Sequence, residues 1–130
     1  MTFFNFLIHI KNSYLANKLF WYFPATFFQY KIGKILKQHG FIKDIFWINI
    51  KNKSFLYLEL NSINNKKFKK INGIKFLKIY HKNKYCNLYT LKYLNNLRSN
   101  LYLISTSKGI MSSLLAYKLH LGGKLLCYIW

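Results

Sequence analysis

Acidic side chains are almost absent from this 130-residue chain, which contains 21 lysines and arginines but only two acidic residues, Asp44 and Glu59. The formal net charge is +19, and a charge of this size repels itself unless a polyanion neutralises it. Two carboxylates also leave little material for a catalytic acid–base pair. The composition therefore predicts a permanent anionic partner and disfavours an enzyme that uses a pair of carboxylates.

Cysteine is also scarce, and Cys86 and Cys127 lie far apart without forming a C-x-x-C motif. The four histidines form no H-x-x-x-H pair. These spacings disfavour a zinc site, and two reduced, buried thiols are expected instead of a disulfide. No metal and no cofactor are predicted.

Long apolar runs are missing as well. The uncharged run 19–30 contains Pro24 and is shorter than the roughly 20 residues that a membrane-spanning helix needs. The first ten residues lack the leading positive charge of a signal peptide and the arginine-rich pattern of a mitochondrial presequence. We expect no membrane insertion. We also expect that the protein is synthesised in the same compartment in which it functions. A hydrophobic fraction of 52% is nevertheless enough for a folded core.

The first half of the chain shows two helical patterns followed by two alternating ones. Apolar residues recur at helical spacing over 3–18, and a second helix is expected between Thr26 and Gly40, where glycine can cap its end. The apolar stripe of this second helix is predicted at Phe28, Ile32, Ile35 and His39, with Lys31, Lys34 and Lys37 on other faces. Ile42–Ile50 and Phe55–Leu60 alternate around the turn KNKS, which predicts an antiparallel hairpin.

A charged connector, NNKKFKKING, ends in a turn at Asn72-Gly73 and separates the two halves. The elements expected after it are a strand at Lys75–Lys82, a short helix at Leu88–Leu97, a buried strand at Leu101–Ile104, a helix at Ile110–Leu119 and a last strand after Gly122-Gly123. The predicted fold class is α+β with two small lobes. Residues 1–70 have the order α-α-β-β, and residues 71–130 have the order β-α-β-α-β.

The motif STSKG, Ser105 to Gly109, lies between two apolar runs. Its Ser-x-x-Lys pattern occurs in penicillin-binding enzymes, but the accompanying S-D-N and K-T-G elements are missing, and no Walker A motif is present. Hydroxyls, backbone N–H groups and a glycine that allows close approach suit contact with RNA. The alternative is a Ser/Thr turn that caps a helix at Ile110, and the two hypotheses are compatible.

Lysines and aromatic residues supply the remaining candidates for nucleic-acid contact. The lysines expected to contribute to a positive surface are Lys31, Lys34, Lys37, Lys66, Lys67, Lys69 and Lys70. The aromatic residues that lie among lysines, where they can stack on unpaired bases, are Phe68, Tyr80 and Tyr85. Most other aromatic residues are expected in the core.

Several stretches of the chain resemble one known family. STSKGIM at 105–111 and LGGKLLCYIW at 121–130 are similar to the C-terminal signature of small-subunit ribosomal protein eight, the bacterial-type family. KILKQHGFIKD at 34–44, FLIHIKN at 6–12 and FLKIYHK at 76–82 also fit that family. The similarity runs from end to end and is weakest between Asn49 and Asn72.

The resemblance implies a structural constituent of the small ribosomal subunit that has no catalytic role. It implies binding to the central domain of small-subunit rRNA, chiefly the internal loop of helix twenty-one, and support of subunit assembly and translation. The RNA-binding residues so implied or suggested by charge are Ser105, Thr106, Ser107, Lys108, Gly109, Gly122, Gly123, Lys31, Lys34 and Lys82. The implied partners are rRNA and neighbouring small-subunit proteins, with one copy per ribosome, no homo-oligomer and no small-molecule substrate.

The N-terminal half departs from the family pattern. Ile8 and His9 stand where the family usually has threonine and arginine, and Phe27 and Gln29 replace residues that are commonly basic. These departures suggest that lysines at other positions of this half compensate, or that protein neighbours cover the aromatic surface.

Codon bias adds an expectation about origin, because Phe, Tyr, Ile, Asn and Lys have AT-rich codons. We expect a mitochondrial ribosome and an organelle-encoded protein, with a plastid or an AT-rich bacterium as alternatives. A rival hypothesis is a basic, aromatic-rich peripheral membrane protein, since lysine beside Trp and Phe also suits an anionic lipid surface.

Overall fold

The computed structural model describes residues 3–61, 70–76, 85–96 and 100–130. The chain divides into two compact units, Met1–Asn72 and Gly73–Trp130, whereas the sequence placed the division between residues 70 and 71. Each unit combines helices with an antiparallel sheet, so the predicted α+β class with two lobes is confirmed.

The first unit contains one strand more than predicted. Its elements are α1 (Phe3–Leu15), β1 (Phe20–Pro24), α2 (Phe27–Gln38), β2 (Asp44–Ile50) and β3 (Lys53–Glu59), and the strands form a sheet in the order β1-β3-β2. The predicted α-α-β-β order omitted β1, because proline is normally excluded from strands. Pro24 is tolerated since β1 is an edge strand, in which one row of backbone groups needs no partner.

Helix α2 begins and ends where the sequence predicted. Thr26 is its N-cap, with Oγ1 accepting a hydrogen bond from the backbone N of Gln29 at 3.2 Å, and Gly40 follows the C-cap with φ of 79°. The predicted apolar stripe, however, is shifted, because the side that packs on the sheet holds a glycine. The buried residues of the helix are Gln29, Ile32, Gly33 and Leu36.

Gly33 allows α2 to lie close to the sheet. A Cβ atom at this position would stand 2.2 Å from Cδ1 of Ile45 in β2. Phe28, which the sequence placed on the apolar stripe, is 46% exposed. A residue without a side chain gives no hydrophobic signal, which explains why the periodicity alone pointed to the wrong side of the helix.

The predicted hairpin is confirmed as β2 and β3. Lys51 and Asn52 form its two-residue turn with φ of 47° and 66°, and Ile50 pairs with Lys53. Ile45, Leu56 and Leu58 are buried beneath the helices. Helices α1 and α2 thus cover one face of the sheet.

One tyrosine joins three parts of the first unit. The Tyr14 hydroxyl in α1 donates a hydrogen bond to the carbonyl oxygen of Phe41 and accepts one from the backbone N of Asn61 at 3.2 Å. The Asn61 side chain in turn donates to the carbonyl oxygen of Gly40 at 2.9 Å. Burial raises the pKa of Tyr14 above its usual value, so the hydroxyl stays protonated and able to donate.

The second unit is a helix-covered sheet. Its elements are β4 (Ile74–Phe76), β5 (Tyr85–Cys86), α3 (Leu88–Asn96), β6 (Leu101–Thr106), β7 (Gly109–Ser112), α4 (Ser113–Lys118) and β8 (Gly123–Ile129). The sheet has the order β4-β8-β6-β7, and β5 also pairs with β8. One buried cluster of this unit consists of Cys86, Leu91, Tyr102, Ile104, Met111 and Ala116. Leu101, Leu103, Cys127 and Ile129 are buried as well.

Two predicted elements of this unit need correction. The helix predicted at Ile110–Leu119 is preceded by β7, and it begins only after the N-cap Ser112, whose Oγ accepts from the backbone N of Leu115 at 3.3 Å. The predicted cap at Ile110 is therefore wrong, because pairing with β6 draws this residue into a strand. Of the strand predicted at Lys75–Lys82, residues 74–76 form β4, and 77–82 lie outside the described residues.

Both cysteines are buried thiols, as the sequence predicted. Burial raises the pKa of Cys86, and it raises that of Cys127 to about 12. Neither side chain is therefore ionised at neutral pH, which suits residues that serve as core packing.

The Tyr14 hydroxyl gives a first test of the fold. Tyr14→Phe leaves the carbonyl of Phe41 and the N–H of Asn61 without this partner inside the protein, so we expect the free energy of unfolding to fall by about 1 to 3 kcal/mol. Urea denaturation followed by circular dichroism measures the change. Tyr22→Phe is the control, since Tyr22 is 60% exposed and lies in the same unit. Equal stabilities of the two variants would contradict this role.

Candidate nucleic-acid interface

The STSKG motif forms the end of a hairpin. Ser105 and Thr106 close β6, Ser107 and Lys108 make the turn, and Gly109 opens β7 opposite Thr106. Gly109 has φ of 109°, a backbone conformation that other residues rarely adopt. Ser107 and Lys108 are exposed, so the hairpin presents one hydroxyl and one ammonium group at its tip.

Thr106 holds the turn from within. Its Oγ1 donates a hydrogen bond to the carbonyl oxygen of Gly109 at 2.8 Å and accepts one from the backbone N of Lys108 at 3.2 Å. These two bonds fix the backbone that carries Ser107 and Lys108. The predicted contact set thus contains a residue that also shapes the tip.

A row of side chains crosses the sheet next to the hairpin. Ser105 is directly opposite Lys124 of β8, and Lys124 is opposite Tyr85 of β5. Directly opposed residues of antiparallel strands project from the same face. The following residue of β5 and the preceding residue of β6, Cys86 and Ile104, belong to the core, so the row lies on the face that turns away from α3 and α4.

We call Tyr85, Lys124 and Ser105 the cross-strand row. Tyr85 is 66% exposed, Lys124 is exposed and Ser105 is half-buried. Together they place an aromatic ring, a cation and a hydroxyl on one surface. This combination offers stacking, charge neutralisation and hydrogen bonding to one strand of RNA.

The two glycines before Lys124 permit this arrangement. A Cβ atom at Gly123 would stand 2.3 Å from the carbonyl oxygen of Ser105. A Cβ atom at Gly122 would stand 2.7 Å from the hydroxyl of Tyr85 and 2.9 Å from the carbonyl oxygen of Cys86. The structure therefore places Gly123 beside β6 of the hairpin and Gly122 beside β5, and both glycines allow β8 to approach these neighbours.

The other predicted site residues lie elsewhere. Lys31 and Lys34 are exposed on α2 in the first unit, and the Lys34 ammonium stands 4.7 Å from the centre of the Tyr30 ring. Lys82 lies outside the described residues. The residues of the connector and its surroundings that also lie outside the described residues are Lys66, Lys67, Phe68, Lys69 and Tyr80.

Lys124 is a candidate that sequence reasoning missed. Its position after a double glycine is visible in the sequence, but its pairing with Ser105 and Tyr85 follows from strand register. Tyr85 had been predicted to stack on bases from its place among lysines. The structure brings it into the same row as Ser105.

Two further observations concern other site types. In the part of the chain that the structure describes, no three side chains from His, Cys, Asp and Glu come together as metal ligands would. Across the same described ranges, no helix has both the length and the apolar character needed to cross a bilayer.

Comparison with known proteins shows that this chain is similar to a class of structural proteins of the ribosome. The family model of ribosomal protein S8 matches residues 2–130. The small ribosomal subunit protein uS8c of Chaetosphaeridium globosum is 35% identical over 127 residues, covering 97% of this chain and 95% of the relative. The uS8c protein of Phaeodactylum tricornutum is 34% identical, with 95% and 93% covered. The uS8 protein of Persephonella marina is 31% identical, with 95% and 93% covered.

The chain therefore belongs to the ribosomal protein S8 family, a structural component of the small ribosomal subunit. This confirms the resemblance seen in the sequence. Membership implies ribosomal RNA and ribosomal proteins as partners. The similar plastid and bacterial proteins favour those origins over the mitochondrial origin expected from codon bias.

The contact at Gly123 provides a test of the site's architecture. Gly123→Ala forces a Cβ against a backbone carbonyl, so we expect the free energy of unfolding to fall by about 1 to 3 kcal/mol. Thermal or urea denaturation measures this. Lys124→Ala is the matched control at the next position, because truncating an exposed side chain changes stability by about 0.5 kcal/mol or less. A Gly123→Ala protein as stable as the control would contradict the close approach of β8 to β6.

Proposed function

We propose that this protein binds the central domain of small-subunit rRNA, chiefly the internal loop of helix twenty-one, and supports early assembly of the subunit and translation. The ribosome is that of a plastid or a bacterium. The observation that carries the proposal is the cross-strand row, which places a ring, a cation and a hydroxyl on one face of the sheet, next to the hairpin tip with its own hydroxyl and cation.

In this proposal the hydroxyl groups fix the position of the protein along the RNA. Ser105 on the sheet and Ser107 at the exposed tip can each donate to a phosphate oxygen or exchange hydrogen bonds with a ribose 2′-OH. The internal bonds of Thr106 hold the tip in one shape before RNA arrives. Preorganisation of this kind lowers the entropic cost of binding.

Cations and the aromatic ring supply affinity. Lys124, directly opposite Ser105, and Lys108, at the hairpin tip, neutralise phosphates, and each contact releases a counterion. Tyr85 stacks on an unpaired base, an interaction worth about 1 to 3 kcal/mol. Gly122 and Gly123 contribute by allowing the backbone of β8 to lie close to β5 and β6, which hold Tyr85 and Ser105.

The exposed lysines of the first unit add a contribution to the binding affinity that does not depend on the RNA sequence. Lys31 and Lys34 on α2 contact phosphates, and Lys82 is assigned the same role from sequence. The protein acts as one copy per subunit beside neighbouring proteins and has no catalytic function. Membership of the S8 family favours this function over the peripheral-membrane alternative.

Paired serine substitutions test the hydroxyl contacts. Ser105→Ala together with Ser107→Ala removes two hydrogen-bonding groups, so we expect binding to a central-domain rRNA transcript to weaken by about 1 to 3 kcal/mol. Filter binding measures the affinity, and circular dichroism verifies the fold. An unrelated transcript of equal length is the control, since its weaker, nonspecific binding should hardly change. Unaltered affinity for the central domain would refute the role of the hairpin.

Single lysine substitutions test the phosphate contacts. Lys108→Ala and Lys124→Ala should each reduce the slope of log K against log salt by about 0.7 to 0.9, because each loses one counterion-releasing contact. Lys118→Ala is the matched control, since Lys118 ends α4 in the helix layer on the other face of the sheet. Slopes that fall equally in all three variants would show that charge acts only through the overall field.

A further inference from the structure

The first unit exposes an apolar sheet face that the RNA site does not use. It is the face that turns away from α1 and α2, and we call it the outer face. Its cross-strand rows are Phe20–Glu59–Asp44, Tyr22–Tyr57–Phe46, Pro24–Phe55–Ile48 and Lys53–Ile50. Three large apolar side chains on it, Tyr22, Ile50 and Phe20, are 60%, 54% and 48% exposed.

The side chains of this face already pack on one another. The Tyr57 ring lies 5.8 Å from the ring of Phe20 and 6.3 Å from that of Phe46, measured between centroids. Next to this cluster, an open depression of about 440 Å³ is lined chiefly by Tyr22, Pro24, Ile48, Ile50, Phe55 and Tyr57. A contiguous apolar patch with a preformed hollow is typical of a binding surface.

Charge distinguishes this face from the rest of the molecule. Asp44 and Glu59, the only acids of the chain, are directly opposite each other at one end of it. The Lys37 ammonium stands 2.9 Å from Oδ1 of Asp44, and the Lys43 ammonium stands 3.9 Å from Oε2 of Glu59. In a protein of net charge +19, this end of the sheet is therefore locally neutral.

This distribution disfavours a phosphate-bearing occupant, whether RNA or lipid. The two carboxylates offset the charge of the lysines next to them, so this end of the face attracts phosphates less than the strongly basic rest of the protein does. Among the residues of the three strands, Lys53 is the one cation on the outer face. Around Ile48 and Ile50, the ring of Phe55 is the one aromatic side chain in the cross-strand rows, so this half of the face offers few rings for base stacking.

The same features suit a protein. Interface cores are apolar and rich in aromatic residues, and they are bordered by charges that select the partner. A carboxylate pair at one border selects a cation, and arginine binds carboxylates with two hydrogen bonds. A second copy of this chain would bring another +19 charge with it, so association of two copies is disfavoured.

We propose that the outer face docks a neighbouring protein of the small ribosomal subunit, whose apolar patch covers the aromatic and aliphatic rows and whose arginine or lysine meets Asp44 and Glu59. This goes beyond the proposed RNA binding, because it concerns another face in the other unit. The docking proposal can therefore be tested independently of the proposed contact between the hairpin and rRNA.

Site-specific photocrosslinking in assembled small subunits tests the proposal. A diazirine amino acid, which reacts with protein and RNA alike, replaces Tyr57 on the outer face, and mass spectrometry identifies what it captures. We expect one small-subunit protein, crosslinked through a peptide that combines apolar residues with arginine or lysine. A probe at Tyr89, which is 88% exposed on α3, is the control and should not capture that peptide. A probe at Tyr85 reports separately on the RNA site.

Charge variants sharpen the test. Glu59→Lys should lower the crosslink yield at position 57 at least tenfold, because it repels the partner's cation. Lys43→Ala removes the cation that now faces Glu59, so the yield should hold or rise. Loss of yield in both variants would mean that the Lys43–Glu59 ion pair serves only the fold, which would contradict the contact between Glu59 and a cation of the partner. Capture of rRNA, of lipid or of a second copy, or no capture in subunits that contain the protein, would overturn the proposal.

Discussion

The close passage of β8 along β6 is the constraint on which the proposed RNA site depends. Without a side chain at Gly123, the backbone comes so near Ser105 that a Cβ would stand 2.3 Å from its carbonyl oxygen. This approach sets the register in which Lys124 lies between Ser105 and Tyr85. The chemistry of the site thus comes from ordinary side chains, and their usefulness comes from a strand contact that only glycine permits.

The distribution of charge gives the two units different surfaces. The second unit combines an exposed ring, hydroxyls and lysines on one sheet face and at the adjacent hairpin tip, a combination that suits RNA contact. The outer face of the first unit holds both acids of the chain beside exposed apolar side chains, which is the chemistry of protein contact. A strongly basic ribosomal protein can in this way bind rRNA and still keep a region free of excess positive charge.

Sequence reasoning found the fold class, the hairpin of the first unit, the caps of α2 and the STSKG motif, because each has a local signal. It missed β1, since Pro24 is compatible with a strand only at a sheet edge. It also extended a helix over Ile110, because a short apolar run shows no distinguishing period until its pairing partner is known. Lys124 was missed because cross-strand neighbours are far apart in sequence. The role proposed for Lys124 follows from strand register, which cannot be read from a single sequence.

RNA–protein crosslinking with identification of both partners tests the central claim most directly. Ribosomal small subunits are irradiated, and the crosslinked peptides and nucleotides are sequenced together. The account predicts that peptides containing Ser105 to Gly109 or Lys124 are attached to the central domain of small-subunit rRNA, in or next to helix twenty-one. Attachment of these peptides to another rRNA domain, or RNA crosslinks from the first unit alone, would contradict it.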